Sequence, residues 1–361
     1  MEVAAVTPCV LVLRALGLGD LLAGVPALRG IRRAFPRARV VLALPAALEE
    51  AALATGVVDA VFPAEAPGRG VPSLTHWPGP PPDLAIDLHG KGPESRDALA
   101  ALAPVRLLAF AQPDPRPARW RADEHERARW CRFLGAYGIS ADPDDVRLPP
   151  PTAASPAPGA VVVHPGAESA SRRWPAERYA ALVRRLRATG RRVVVTGGPG
   201  EDALVRDVAG LAGLPAGDAW CGGLPFGELS ALVAGAALLV SGDTGLAHLA
   251  VAHGTPSVTL FGPVAPDLWG PPPGSGRHRA LWKPGPPGDP HGDVPDPLLM
   301  RIGVDEAVAA ALGLLEKPLG QEPLPTCPVS ASSAASGSAS SRSPSASSAA
   351  SASASSRSPS A

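Results

Sequence analysis

Short apolar runs alternate along the chain with longer stretches whose apolar side chains recur at helical spacing. Residues 9–14 form the first such run, which passes through the glycine-rich turn LGLGD into a helical pattern at residues 21–34. The same pattern predicts further strands at residues 40–44, 60–62, 84–88, 106–109, 161–163, 192–196, 237–240 and 257–260. It predicts further helices at residues 46–54, 95–102, 124–137, 175–189, 201–211, 229–234, 246–253 and 304–315. Strands that alternate with helices indicate parallel sheets.

A proline-rich segment, LPPPTAASPAPG at residues 148–159, divides the alternation into two halves. Because proline continues neither a helix nor a central strand, we interpret this segment as a linker. We therefore expect two doubly wound, Rossmann-like domains, at residues 1–147 and 160–317, with ligands at the carboxyl ends of their strands. Residues 262–297 are dense in Pro and Gly and are predicted to be irregular. The Ser, Ala and Pro-rich tail at residues 318–361 is predicted to be disordered.

The composition excludes several classes of protein. The chain has 361 residues, 45% of them hydrophobic, and 33 basic residues balance 33 acidic ones, so it lacks the charge signature of a nucleic-acid binder. No paired spacing relates its four cysteines, which indicates neither a zinc site nor a disulfide framework and fits a reducing compartment. These cysteines are Cys9, Cys131, Cys221 and Cys327.

The apolar N-terminus predicts a buried strand in preference to a signal peptide. It lacks a basic leader, and Arg14 and Asp20 interrupt it. No stretch reaches the roughly 18 uninterrupted apolar residues that a membrane-spanning helix requires. We expect a cytoplasmic monomer, and a peripheral contact with the inner face of the membrane stays open.

The segment LVSGDTGLAHLA at residues 239–250 predicts a strand, a Gly-Asp-Thr-Gly turn and a helix that carries His248. Gly242 and Gly245 lack a Cβ, so the turn can take positive φ and a ligand can approach the main chain. The unpaired amides of the helix N-terminus carry partial positive charge and can hold a diphosphate without a metal. An equally good interpretation of this turn alone is an ordinary connection in which Asp243 or Thr244 caps the helix.

Four motifs occur in order over most of residues 9–270: GLGDLLAGVPALRGIRRAFP, VVHPGAESASRRWPAERYAAL, VVTGGPGED and LVSGDTGLAHLAVAHGTPSVTLFGP. Together they resemble the heptosyltransferases of glycosyltransferase family 9. The resemblance implies a GT-B fold and an inverting, metal-independent glycosyltransferase. It also implies transfer of a heptose from ADP-heptose to a hydroxyl of a glycan or glycolipid, as in synthesis of the lipopolysaccharide core. The nucleotide sugar is then a co-substrate, and no cofactor or metal is expected.

The resemblance assigns roles to individual residues. The acidic residue of the first glycine-rich loop, here Asp20, is the family's proposed catalytic base, whereas helix capping is the alternative from position alone. The basic residue before Trp-Pro, here Arg172, lies on the donor's diphosphate, although most relatives carry lysine there and a solvated arginine is the alternative. Glu201 inherits the binding of the ribose hydroxyls, with stabilisation of the first helical turn as its alternative.

The remaining assignments concern the rest of the expected donor site and the residues that could contact the acceptor. The GDTG turn brings Asp243, Thr244, Gly245 and His248 to the donor, and the loop after the linker brings Gly166 and Ala167, next to a His164 that is as readily structural as functional. Gly19, Lys91 and Arg96 are the acceptor-side candidates. Lys91 and Arg96 suit an anionic partner, but a polar loop and a helix start explain them equally well, so the acceptor stays open.

Three other functions are compatible with parts of this pattern. A protein on the same fold can bind a nucleotide sugar without transferring it, although the presence of Asp20 argues against this, and a transferase can use a different nucleotide sugar. A dinucleotide oxidoreductase is disfavoured, because Leu22 stands where the third glycine of G-x-G-x-x-G falls when counted from Gly17.

Overall fold

The first half of the chain builds a five-stranded parallel sheet. The computed structural model describes residues 7–110 and 119–316, so the predicted tail at residues 318–361 and Cys327 lie outside the described residues. The strand order is β3-β2-β1-β4-β5. These strands are β1 (Cys9–Leu13), β2 (Arg39–Leu44), β3 (Ala60–Pro63), β4 (Leu84–Asp87) and β5 (Arg106–Leu108). The helices of this half are α1 (Leu18–Ala34), α2 (Glu49–Ala54), α3 (Pro93–Ala100) and α4 (Glu126–Gly135).

The second half builds a six-stranded parallel sheet in the order β11-β10-β9-β6-β7-β8. Its strands are β6 (Val161–His164), β7 (Val193–Thr196), β8 (Ala219–Trp220), β9 (Leu238–Gly242), β10 (Ser257–Leu260) and β11 (His278–Leu281). Its helices are α5 (Ala176–Arg187), α6 (Asp202–Ala212), α7 (Phe226–Ala234), α8 (Gly245–His253), α9 (Pro266–Trp269), α10 (Pro297–Met300) and α11 (Val304–Leu315). The prediction of two parallel α/β sheets is therefore confirmed, and the predicted elements differ from the observed ones by three residues or fewer at each end.

One predicted irregular segment was wrong in part. Residues 262–297 contain α9, and they contain β11, which pairs in parallel with β10 from Ser257↔His278 to Leu260↔Leu281. β11 is an edge strand with two exposed positions, Arg279 and Ala280, so it has no apolar run that periodicity can detect. The strand β8 was also missed, because two residues are too few to show a periodic pattern.

Helix α1 packs against both halves of the structure. Leu28 and Ile31 belong to the apolar cluster of the first sheet, whereas Leu22 and Val25 pack with residues of the second half. This double packing explains why α1 is apolar around most of its circumference. It also places the N-terminus of α1 beside that of α8, where a Cβ on Gly19 would lie 3.7 Å from the Gly245 Cα.

Three further observations concern the cysteines, the proline-rich segment and the helix lengths. Cys9, Cys131 and Cys221 are free thiols. Residues 148–159 contain no helix or strand, and Leu148 and Ala157 pack into the apolar cluster of the second half. Within residues 7–110 and 119–316, no helix is both long and apolar enough to cross a membrane.

Candidate active site

A cavity of about 430 Å³ lies where the carboxyl ends of the two sheets face each other. The first half contributes the loop and first turn of α1 together with a short helical turn after β3. The second half contributes the turn before α8 and three further loops. The residues that line the cavity are Gly17, Leu18, Gly19, Asp20, Arg69, Glu168, Arg172, Asp243, Thr244, Gly245, His248, Val264, Trp269, Pro290 and His291.

Asp20 is the third residue of α1 and lies almost fully buried at the cavity wall. Its Oδ2 accepts the Gly17 amide at 3.2 Å, so it does cap its helix, as the alternative interpretation expected. Arg69 Nη2 donates to both of its carboxylate oxygens, at 3.0 and 3.1 Å. One side chain therefore combines helix capping with a fixed position in the cavity.

Arg69 was missed by the sequence reasoning. It ends a short helical turn with a left-handed φ of +63°, a conformation that costs a non-glycine residue about 1 kcal/mol. The turn sequence PGRG was the available signal for an unusual backbone, but nothing in it pointed to Asp20, 49 residues away. The ion pair with Asp20 is a contact that offsets this strain.

Buried arginine beneath α1 holds the Asp20 backbone. Arg14 Nε donates to the Asp20 carbonyl at 2.6 Å, and Arg14 Nη1 donates to the Leu88 carbonyl at 2.6 Å. Arg14 Nη2 donates to Glu126 Oε1 at 3.0 Å. A Cβ on Gly24 would lie 2.9 Å from Arg14 Nε, so glycine at that position makes room for the guanidinium. Arg14 thus ties the first turn of α1 to β4 and α4.

The Gly-Asp-Thr-Gly turn joins β9 to α8, with Thr244 as the N-cap residue. No side chain of the described residues caps this helix, and the buried Thr244 Oγ1 has no hydrogen-bond partner among them. The helix N-terminal amides therefore face the cavity together with an unsatisfied hydroxyl.

Neither glycine of this turn has a positive φ, which corrects the sequence-based expectation. They are needed for close approach of other chain segments. A Cβ on Gly242 would lie 2.8 Å from the Arg172 carbonyl oxygen, and one on Gly245 would lie 3.0 Å from the Leu18 side chain.

Arg172 points across this turn. Its Nη1 donates to the Asp243 carbonyl at 3.3 Å, and its Nη2 lies 3.4 Å from Glu168 Oε2. Its Nε is buried, without a partner among the described residues. Arg172 is therefore a cavity residue and not a solvated surface arginine, whereas the neighbouring Arg173 turns away and donates to the Ala167 carbonyl at 2.8 Å.

Burial shifts the pKa values of two titratable groups at the turn. Burial raises the pKa of Asp243 to about 6, with the Asp20 carboxylate acting in the same direction and Arg172 opposing it. Burial and the nearby Arg127 guanidinium lower the pKa of His248 to about 4. His248 is thus neutral near pH 7, and its Nε2, 3.9 Å from Asp243 Oδ1, forms no charged pair there.

Several predicted site residues lie outside the cavity lining. Glu201 accepts the Gly198 amide at 2.7 Å and lies 3.8 Å from His164 Nε2. It packs so closely on Gly166 that a Cβ there would fall 1.9 Å from Glu201 Oε2. Ala167 is buried in the same loop region. Their donor-binding roles stay predictions.

The acceptor-side candidates are also divided. Gly19 lines the cavity, where a Cβ would lie 3.2 Å from His248 Cδ2. Lys91 is exposed on a loop, and Arg96 on α3 pairs with Asp97 at 2.7 Å. Neither Lys91 nor Arg96 lines the cavity. The sequence reasoning also missed the following cavity residues: Glu168, Val264, Trp269, Pro290 and His291.

Comparison with known families and structures agrees with this geometry. Residues 122–285 match the model of glycosyltransferase family 9 (heptosyltransferase). The chain is therefore heptosyltransferase-like, and its residues 122–285 are similar to the domain of that family. The expected resemblance to family 9 is therefore confirmed, and the matched residues contain three of the four motifs, whereas the first, at residues 17–36, lies outside them.

Curated proteins and solved structures that are similar to this chain include heptosyltransferases. Lipopolysaccharide heptosyltransferase 3 of Escherichia coli is 35% identical over 113 residues, which are 31% of this chain and 33% of the relative. The chain thus spans about a third of the length of the curated relatives it matches. The structure of E. coli ADP-heptose lipopolysaccharide heptosyltransferase II has a TM-score of 0.65 at 19% identity, covering 85% of this chain and 98% of that one. This similarity confirms the GT-B-type fold.

A second solved structure of similar fold is described with a metal. TibC of enterotoxigenic E. coli H10407 is described as an iron-containing dodecamer in complex with ADP-D-β-D-heptose. It has a TM-score of 0.57 at 14% identity and covers 85% of this chain and 76% of that one. In residues 7–110 and 119–316 of the present chain, no group of three or more His, Cys, Asp or Glu side chains is arranged to hold a metal ion.

Proposed function

We propose that this protein transfers a sugar from a nucleotide diphosphate to an acceptor hydroxyl, with inversion and without a metal ion. The observation that carries the proposal is the position of one carboxylate, Asp20, in the same cavity as Arg172 and the N-terminus of α8. The cavity thus offers a proton acceptor on one wall and positive charge on the other. That is the pair of functions that glycosyl transfer from a diphosphate needs.

The donor's diphosphate fits the wall formed by the second half. The amides at the start of α8 carry partial positive charge, and Arg172 supplies a full charge in a planar fork. Thr244 Oγ1 and Arg172 Nε are buried and unpaired where the structure describes the chain, and phosphate oxygens would satisfy both. This arrangement supports neutralisation of the leaving group by the protein's own groups.

The acceptor fits the wall formed by the first half. In the proposed step, the Asp20 carboxylate takes the proton of the acceptor hydroxyl while that oxygen forms a bond to the anomeric carbon. The bond from the anomeric carbon to the diphosphate oxygen breaks, and its electron pair leaves with the diphosphate, which Arg172 stabilises. Arg69 keeps the Asp20 carboxylate oriented throughout, by its contacts with both oxygens.

ADP-heptose is the donor that we propose, and a glycolipid of the lipopolysaccharide-core type is the proposed acceptor. Two fold neighbours support the donor, because one is named for ADP-heptose and the other is described with a bound ADP-heptose. We further propose that the protein is a cytoplasmic monomer that meets its acceptor at the inner face of the membrane.

Calorimetry tests the donor first, with ADP, ADP-heptose, UDP-glucose, GDP-mannose and NAD in buffer that contains a chelator. Selective binding of ADP and ADP-heptose is expected. Preference for another nucleotide would replace the donor, and binding of NAD alone would overturn the proposed function. Loss of binding or turnover in chelator, restored by iron or another metal, would contradict metal independence.

Asp20→Asn then separates transfer from binding. The amide keeps the size of the side chain and an oxygen for the Gly17 amide, but it removes the base, so turnover should fall by about 10²- to 10⁴-fold. Donor affinity should stay near that of the wild type. Unchanged turnover would remove Asp20 as the base, whereas donor binding without turnover of any acceptor by the wild type would favour a silent binding protein.

A further inference from the structure

The Gly270 carbonyl joins the two halves of the structure beside the cavity. It accepts one hydrogen bond from His125 Nε2 at 3.0 Å and another from Arg127 Nη1 at 2.9 Å. His125 and Arg127 lie at the start of α4, in the first half, whereas Gly270 directly follows α9 in the second half. We call this three-residue arrangement the Gly270 clasp.

His125 and Arg127, the hydrogen-bond donors of the clasp, are fixed by further hydrogen bonds. His125 is the N-cap of α4, and its Nδ1 accepts the Arg127 amide at 3.1 Å, so the proton of the neutral ring must lie on Nε2, toward Gly270. Burial and the Arg127 guanidinium lower the pKa of His125, which favours this neutral form. Arg127 is itself buried, and its Nε donates to the Pro143 carbonyl at 3.1 Å.

Gly270, the hydrogen-bond acceptor of the clasp, is equally constrained. The Gly270 amide donates to the Pro266 carbonyl and closes the single turn of α9. A Cβ on Gly270 would fall 2.4 Å from the Pro266 carbonyl oxygen, so the tight turn requires glycine. Holding the Gly270 carbonyl therefore holds the residue before it, Trp269.

Trp269 lines the cavity and meets His248 edge-on, with ring centroids 6.0 Å apart and an interplanar angle of 71°. His248 lies one turn into α8, directly behind the amides assigned to the diphosphate. The indole thus forms a wall next to the place where the group attached to the diphosphate would lie. Its position depends on a short four-residue helix that the clasp anchors.

We propose that His125 and Arg127 are positioning residues that act through the Gly270 carbonyl to fix Trp269 as the wall against the transferred sugar. The inference rests on the proposed transfer function. The diphosphate site is built by different groups, so the clasp should influence recognition of the sugar and leave recognition of the nucleotide diphosphate largely unchanged. That separation distinguishes positioning from a general loss of structure.

His125→Asn is the discriminating variant. Asparagine is a good N-cap and keeps an acceptor for the Arg127 amide, but it is too short to donate to Gly270. Loss of one hydrogen bond should weaken ADP-heptose binding and raise its KM about two- to tenfold. The affinity for ADP alone should change less than about twofold. His76→Asn is the matched control, because His76 Nε2 also contacts a backbone carbonyl, that of Pro63, at 3.2 Å, but away from the cavity.

A double-mutant cycle tests whether the effect passes through Trp269. In a Trp269→Leu background, His125→Asn should cause little additional loss of ADP-heptose affinity, because the wall it positions is absent. The inference is overturned if His125→Asn behaves like His76→Asn, if it weakens ADP and ADP-heptose equally, or if its effect persists undiminished in the Trp269→Leu background. A wild-type protein that neither binds nor turns over any nucleotide sugar would instead overturn the proposed function, and this inference with it.

Discussion

Replacing Glu126 with glutamine should destabilise the fold by about 3–5 kcal/mol, the usual effect of breaking a buried ion pair. The Glu126 side chain is 7% exposed, between the Arg14 and Arg129 side chains, which are 0% and 8% exposed. It accepts hydrogen bonds from both guanidinium groups and from Trp130 Nε1, the last at 2.6 Å. Glutamine preserves the volume and one acceptor oxygen, but it leaves two buried positive charges without their counterion.

The same change should reach the cavity. Arg14 donates to the Asp20 carbonyl through Nε and to the Leu88 carbonyl through Nη1. Without the negative charge of Glu126, we expect the Arg14 side chain to shift toward water. The first turn of α1 then loses one of its anchors. We expect kcat to fall in Glu126→Gln under conditions in which the variant is still fully folded, because Asp20 is less firmly placed.

Urea unfolding, followed by circular dichroism and by tryptophan fluorescence, measures the change in free energy. Glu124→Gln is the matched control, since Glu124 precedes the same helix and pairs with Arg132 at side-chain exposures of 15% and 26%. A partly exposed pair of this kind contributes about 1 kcal/mol or less. A loss below about 1 kcal/mol in Glu126→Gln, or equal losses in the two variants, would refute the argument from burial.

Three further predictions concern the cavity and the first sheet. Arg172→Ala should weaken ADP binding about 10- to 100-fold by calorimetry, whereas Arg173→Ala should change it less than about threefold; equal losses would contradict the assignment. Burial raises the pKa of Asp87 to about 6 from an ordinary 3.8, so the folded state binds that proton more tightly and wild-type stability falls as pH rises through this window. Asp87→Asn should therefore gain stability relative to the wild type by on the order of 2 kcal/mol between about pH 4.5 and pH 8 in urea unfolding, and a pH-independent difference would exclude this origin. Gly242→Ala should cost about 1–3 kcal/mol and weaken ADP binding, because its Cβ would displace the Arg172 backbone; unchanged affinity and stability would show that the loop yields freely.

The local elements of the fold could be predicted from the sequence. An apolar run placed the strand before the GDTG turn, because a strand that is buried on both faces is apolar throughout. Helical spacing of the buried Leu246, Leu249 and Ala250 placed the helix after the turn. β11 could not be found in this way. As an edge strand it is held by backbone pairing with β10, and its exposed positions carry no apolar signal.

The motifs gave the residues of the candidate site separately, and the family resemblance implied that they act together in one cleft. Asp20, Arg172 and Thr244 were found through short motifs, and the tertiary structure places them in one cavity. The same structure leaves Glu201 bound within its own loop, outside that lining. A motif describes the residues on either side of it, but the distance between two motifs depends on how the sheets pack.

The sequence by itself determined two parallel α/β sheets, a glycine-containing turn at the start of α8 and a family resemblance. Only the tertiary structure decided that Arg69 pairs with Asp20, that Arg14 lies beneath α1 and that the Gly270 carbonyl is held from α4. Periodicity reports the burial of each segment, which is a local property. These contacts join residues that are distant along the chain, and they exist because α1 packs against both sheets and brings the two sets of strand ends together.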